Sequence, residues 1–355
     1  MRVLTLYIAK EVLKGSLVAL LFLLTLFNLF TFSDELKDIS AGYGLKQIIS
    51  YVALTSPSVF YELVPASALL GSLFILGSMG NNRELIAMRA AGLSVFGIIR
   101  AVMIAGSVLV MISLLIGEFV APVTQRMAQT LRLSAQNEQI HINAKYGLWL
   151  REGNLFVNVR QVIDDSHLAD LRIYEVDGSH LRQVQQADQA VFIGDHQWRM
   201  DNIKQSDIST QQMKASSIES QLWNSTIAPN LLKIVAVTPN NLPLYDLAAY
   251  ISFLKQNHQE SHAFELAFWG RIVNPLVTFI MLLLSAPFVI GVKRGVGVGE
   301  RMMVGIVISM SFNIIDKIVG HLGLIYSLSP PLMAFMPSLI VLTLVVFAFM
   351  RLPSV

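Results

Sequence analysis

Two adjacent charges, Asp316 and Lys317, interrupt an otherwise uncharged stretch that runs from Met302 to Met350. A charge facing lipid costs about 3 kcal/mol or more, so a charge in such a place is a functional-site candidate. The functional reading is a proton or ion site. The bland reading is mutual or inter-subunit pairing, with Lys317 reaching outward, and it is the favoured one. By helical rise the pair lies about 22 Å along the helix from Arg301, near the far boundary of the hydrocarbon. Neighbours on a helix point in different directions, so the two charges need not pair with each other.

Enzymatic chemistry finds no foothold. The seven His lie mostly between the apolar stretches, with no HExxH pair and no ligand-like clustering. Cysteine is absent, which removes disulfides, thiol catalysis and thiolate metal sites together. There is no GxxxxGK[ST] loop, so the chain cannot hold ATP through a Walker motif. Gly295-Val296-Gly297-Val298-Gly299 resembles a dinucleotide loop only superficially, because it follows an apolar helix rather than a strand. The chain is expected to bind no cofactor and no metal of its own.

The connection at about 81–92 is more informative. Leu85, Met88 and Ala91 fall on one helical face, Arg83 and Glu84 lie beside it, and Gly92 is placed to end the helix. Such a helix docks into a groove on a soluble partner or lies on the lipid surface. On pattern alone the two readings stand level. Lys37 and Arg132 flank apolar stretches on the other side. Ordinary solvated charges would sit there. Their functional reading is capture of an anionic headgroup, with Lys as a point charge and Arg as a fork. Glu62 and Glu118 mark helix ends and receive no further role.

These residues are positioned by a membrane framework. The chain is 54% hydrophobic and 14% charged, against about 25% charged in soluble domains. The net charge of +2 gives no reason to expect a nucleic-acid partner. A spanning helix needs about 20 apolar residues. Gly15–Ser33, Leu63–Asn82, Ala101–Gly117 and Ile272–Val292 meet that need. The last apolar region is too long for one span and is cut at Pro330-Pro331, giving spans near 302–321 and 331–350. The first span is expected to be retained, since its apolar run is too long for a signal peptide and no small-x-small site follows.

Lys and Arg in the short connections set orientation. Arg2, Lys10, Lys14, Arg83, Arg89, Arg100, Lys293, Arg294, Arg301 and Arg351 fall on one side, against Lys37 and Lys46 on the other. Both termini are therefore expected in the cytoplasm, with the large segment after span three outside.

That segment changes pattern. Leu155, Val157 and Val159 alternate with Asn158 and Arg160, and Trp198 and Met200 alternate with Gln197, Arg199 and Asp201. Gly153-Asn154, Asp177-Gly178 and Gly194-Asp195 are turn sites between such runs. Short, evenly spaced strands suggest a sandwich or jelly roll. Leu247, Ile251 and Leu254 then share a helical face just before span four. The expected organisation is spans one to three over 1–125, a β-domain over 126–262, and spans four to six over 263–355.

The whole arrangement resembles the LptF/LptG permeases of the lipopolysaccharide exporter, over nearly the entire chain. The resemblance is carried by Arg83-Glu84-Leu85-Ile86-Ala87-Met88 through Ala91-Gly92, by Gly117-Glu118-Phe119-Val120-Ala121-Pro122, and by Gly147-Leu148-Trp149. Val235-Ala236-Val237-Thr238-Pro239 and the stretch from Ile315-Asp316 to Tyr326 before Pro330-Pro331 add to it. The G-type members of the family, LptG, are the closer match.

The resemblance implies a six-span permease with a periplasmic jellyroll-like domain in a Gram-negative inner membrane. It implies an LptF-like permease partner, an LptB-like ATPase dimer that uses ATP and Mg, an LptC-like single-span protein and an LptA-like periplasmic bridge. It also implies lipopolysaccharide as cargo. Arg83, Glu84, Leu85, Met88 and Gly92 then match the coupling helix, with Glu84 at the acidic contact position. Lys37 and Arg132 match basic positions that face lipid phosphates, although Asp38 and Gln129 stand where relatives can carry basic residues. Closure of the ATPase would narrow a cavity between two permeases, with spans one and five as lateral gates. Phe22, Phe27, Phe30 and Leu63 would meet acyl chains there, since each buried CH₂ is worth about 0.8 kcal/mol.

Rival readings are the F-type partner subunit, a permease of another lipid or lipoprotein exporter, a sensor, and a secondary transporter built on Asp316 and Lys317. A lipoprotein exporter of that kind has four spans with its outer domain after the first. A sensor needs a cytoplasmic output domain, for which the cytoplasmic segments are too short.

Overall fold

The computed structural model describes residues 2–39, 42–135, 148–164, 166–177, 180–194, 197–208, 213–225, 239, 242–257, 259–290 and 297–350. The chain divides into two compact units. One comprises Met1–Ile39, Gly44–Ala128 and His262–Val355, and the other Ser40–Tyr43 and Gln129–Ser261.

The first unit is helical. It contains α1 (Arg2–Glu35), a 3₁₀ turn at Leu36–Asp38, α2 (Leu45–Asn81), the short α3 (Glu84–Ala90) and α4 (Val95–Leu115). A π turn at Ile116–Val120 leads into α5 (Ala121–Ala135), whose first residues belong to this unit. After the inserted unit come α7 (His262–Ile290), α8 (Val298–Ile325) and α9 (Pro330–Met350). Six of these segments are long and apolar enough to cross a membrane. That is the number read from the charge-free runs.

The two longest helices meet at small residues. A Cβ on Gly71 would stand 2.3 Å from the Ser16 backbone, so only glycine lets α2 approach α1 this closely. In lipid, where apolar burial between helices gains little, such contact and interhelical hydrogen bonds hold spans together. Asn28 Nδ2 donates to Ser56 Oγ at 2.9 Å across the same pair. One apolar cluster joins Ile8, Val12, Val64, Ala68, Leu85 and Leu109, and a second joins Leu69, Leu73, Val273, Val277 and Ala334. Burial is uneven. In α1 and in α8 only 11% of the most apolar stretch is buried, against 56% in α2.

The second unit carries six antiparallel strands in one sheet, paired in sequence order. They are β1 (Leu148–Glu152), β2 (Leu155–Asp164), β3 (His167–Asp177), β4 (His180–Gly194), β5 (Gln197–Ile208) and β6 (Met213–Asn224). The expected turn Gly153-Asn154 lies between Glu152 and Leu155, which pair. Gly178 and Asp195 of the other two expected turns lie outside the described residues, and their flanks pair as Asp177 with His180 and Gly194 with Gln197. Val157 and Val159 of β2 stand opposite Ile173 and Leu171 of β3 and all four are buried, as their alternation requires; Trp198 and Met200 of β5 are buried as well. The pairing skips a residue at one level on successive strands, at Asp170, Asp188 and Asn202. Asp170 and Asn202 have left-handed φ values of 47° and 55° there. The strands read as a meander, and a jellyroll order is not established by them. The helix expected before span four is α6 (Leu244–Gln256), with Leu247, Tyr250, Phe253 and Leu254 buried.

Candidate functional site

The short helix α3 is built by local rules. Arg83 adopts φ 64°, reversing the chain after α2. At the other end Gly92 takes φ 92°, its N–H donating to the Arg89 carbonyl while that of Leu93 donates to Met88. This is the left-handed stop that glycine permits, closed by the buried Leu93. Between these ends Leu85 is 6% exposed and belongs to the same apolar cluster as Ile8 and Val12, with Met88 packed against it.

That burial corrects the expectation for the apolar face. Leu85 and Met88 lock α3 onto its own bundle, and the outward face is formed by Arg83, Ile86, Ala87, Arg89 and Ala90. Phe96, 75% exposed at the start of α4, adds a large apolar side chain to the same end of the unit. Glu84 is half-buried, and its Oε2 accepts a hydrogen bond from the Tyr7 hydroxyl at 3.3 Å. The reading of the sequence missed Tyr7. Close by in α2, the Gly77 carbonyl accepts from Arg301 Nη1 at 3.5 Å. Among the described residues this is the only side-chain hydrogen bond or ion pair joining α8 to another helix. The end of the bundle that carries α3 is thus tied to both sparsely buried helices, α1 and α8.

Lys37 lies in the 3₁₀ turn and pairs with Asp34 at 2.7 Å, both side chains about three-quarters exposed. An exposed pair of this kind contributes little stability, and either partner can exchange it for another. Arg132 lies in the last turn of α5, within the other unit. Phe22, Phe27 and Phe30 are exposed along α1. Leu63 is not: it is buried in the apolar cluster with Val64 and Leu109, because its face of α2 packs inward. Leu63 is therefore removed from the lipid-facing set. Asp316 and Lys317 are both exposed on α8. Glu62 is exposed on α2 as well.

Arg271 directly precedes the charge-free run that predicts span four and is not among the expected site residues. It is 7% exposed, and its Nη1 donates to Glu118 Oε1 at 2.8 Å and to the Gly117 carbonyl at 3.0 Å. Its guanidinium lies over the Tyr61 ring, 5.6 Å from the centroid. The Tyr61 hydroxyl in turn donates to the Arg271 carbonyl at 3.3 Å. Among the described residues no group of three or more His, Cys, Asp or Glu could hold a metal. The arrangement offers exposed apolar helices and a short helix with an exposed outward face.

The comparison with known proteins agrees. The lipopolysaccharide export system permease LptF/LptG family matches residues 6–351. The chain belongs to that family. It is similar to LptG, the lipopolysaccharide export system permease protein, of Haemophilus influenzae, with 32% identity over 342 residues covering 96% of each chain. The LptG of Escherichia coli strain K12 is 31% identical over 336 residues, covering 94% of this chain and 93% of that protein. Six spans and this membership make the chain a multi-pass inner-membrane protein and a permease subunit of the lipopolysaccharide export system. The match spans both helical segments and the inserted sheet, so all of them belong to one transporter subunit.

Proposed function

We propose that this LptG-like permease extracts lipopolysaccharide from the outer leaflet of the inner membrane, together with an LptF-like chain and a separate LptB-like ATPase dimer. The observation that carries the reading is the sparse burial of α1 and α8, 11% in each. Two spans with so few internal neighbours call for a second membrane chain or a lipid cargo against them. Phe22, Phe27 and Phe30 on α1 supply an apolar lining for acyl chains.

The outward face of α3, with Ile86 and Ala90 between Arg83 and Arg89, suits a groove on a soluble ATPase. The absence of a Walker motif supports an ATP site on another chain. Cationic residues concentrate on the α3 side, which supports cytoplasmic termini and a periplasmic second unit. The antiparallel sheet, with buried apolar residues along its strands, suits a jellyroll-like trough that hands lipid on through LptC-like and LptA-like proteins. Lys37 and Arg132 are the cations proposed to meet headgroup phosphates.

Reconstitution tests this reading. Vesicles containing the complete complex and lipopolysaccharide should release lipid to a periplasmic acceptor only with ATP and the ATPase present. Release driven by an ion gradient without any ATPase would overturn it in favour of a secondary transporter.

A further inference from the structure

The third span does not run straight. At Ile116–Val120 it widens into a π turn, and the Ala121 N–H reaches back to the Ile116 carbonyl, five residues earlier. A π turn holds one residue more than an α turn, so all that follows is rotated by about 100° relative to an uninterrupted helix. The turn therefore decides which residues of α5 face inward. As built, Ala121 and Ala128 are buried, and Ser58 Oγ of α2 donates to Gln125 Oε1 at 3.3 Å. Residues 121, 125 and 128 share one helical face. An α turn over the same residues would carry that face away from α2.

A widened turn disturbs the regular ladder and leaves its carbonyls to find donors elsewhere. Here the donor comes from another span. Arg271 Nη1 of α7 donates to the Gly117 carbonyl at 3.0 Å and pairs with Glu118 Oε1 at 2.8 Å, so one cation grips two consecutive residues of the turn. The Tyr61 ring of α2 backs the turn, and a Cβ on Gly117 would lie 2.4 Å from that ring. Asn274 Nδ2, one helical turn beyond Arg271, donates to the Tyr61 carbonyl at 3.4 Å. Three spans thus converge on two residues.

We propose that Arg271 is a positioning residue that holds the π turn open through Gly117 and Glu118 and so fixes the helical phase of α5. Because α5 is one continuous helix, every residue on it inherits that phase, Arg132 included. The inference concerns the phase alone and does not depend on whether Arg132 meets lipid.

The absence of cysteine makes the phase measurable. Single cysteines at positions 122 to 132 are introduced into the chain within the complete complex. Their labelling by a water-soluble maleimide in membrane vesicles then gives a periodic pattern. The neutral pair Glu118→Gln with Arg271→Met should shift the labelling maxima by one residue. Deleting Phe119, an exposed residue of the turn, converts it to an α turn without rotating α5. That deletion should return the pattern of the neutral pair to the parental one, which a simple loss of a buried ion pair would not allow. An unshifted pattern in the neutral pair overturns the proposal, and so does a shift that the deletion fails to reverse. Should the neutral pair not assemble, the proposal requires that it assemble once Phe119 is deleted; failure there overturns it. Lipid crosslinking at position 132, read in the same variants, reports separately on the headgroup role.

Discussion

Tyr7 of the first span donates its hydroxyl hydrogen to Glu84 Oε2 at 3.3 Å, joining α1 to the short helix α3. Glu84 is the acidic residue proposed to meet the ATPase, so the bond links the driven helix to a sparsely buried span. One exposed hydrogen bond is worth about 1 kcal/mol. Tyr7→Phe should therefore lower lipid release per ATP hydrolysed by about five-fold while leaving co-purification with the ATPase intact. Equal losses in both would mean that Tyr7 serves only assembly.

Glu84→Ala should act more strongly and at a different step. It is expected to weaken co-purification of the ATPase or to leave hydrolysis running without lipid release. Ile86→Glu, placed on the outward face beside it, should weaken the same association. If assembly and export are both unchanged in these variants, α3 has no coupling role.

The Gly71 crossing gives a stability prediction. Its missing Cβ lies 2.3 Å from the Ser16 backbone, and overpacking of this kind costs about 1–3 kcal/mol. Gly71→Ala should lower the unfolding temperature of the detergent-purified complex. Gly270→Ala, where a Cβ would meet nothing within 4 Å, is the control and should change it little.

Alkaline titration addresses the second unit. Burial pushes the Tyr250 hydroxyl up to about 12, from an ordinary value of about 10. Below the ordinary value both folded and unfolded chains keep the proton, and the full stability is present. As pH rises from there the unfolded chain ionises first, so stability falls through the folded value, by about 2–3 kcal/mol in all. Tyr250→Phe should flatten the loss across that window in denaturant titrations. An identical pH profile in the variant would contradict the assignment.

Headgroup capture is tested by charge reversal. Lys37→Glu combined with Arg132→Glu should reduce crosslinking of lipopolysaccharide inside the complex. Asp34→Asn removes only an exposed partner of Lys37 and should leave stability within about 0.5 kcal/mol. Undiminished crosslinking in the double variant removes both cations from the site.

The spans were legible because hydrocarbon imposes a length: an uncharged run such as Ile272–Val292 has few alternatives. The strand turns were legible because glycine marks them at Gly153 and Gly194, which take φ values of 58° and 104°. Facing was less legible. Periodicity grouped Leu85 with Met88, yet it cannot say whether that face meets a partner or the chain's own bundle, and here Ile8 and Val12 claim it. Leu63 failed for the same reason. Arg271 escaped because a cation at the border of an apolar run reads as a boundary. Its carboxylate, Glu118, lies 153 positions earlier, behind a π turn that local sequence does not announce. Nor does alternation alone reveal that Asp170 and Asn202 take left-handed backbone within their strands.

The central claim is that this chain is a passive framework driven by another subunit's ATP site. Affinity purification of the tagged chain from native membranes in mild detergent tests it most directly. The account predicts recovery of a soluble ATPase and a second six-span permease, with lipid release lost when the ATPase is stripped away. A chain that purifies without an ATPase, and still moves lipopolysaccharide when reconstituted alone, would contradict it.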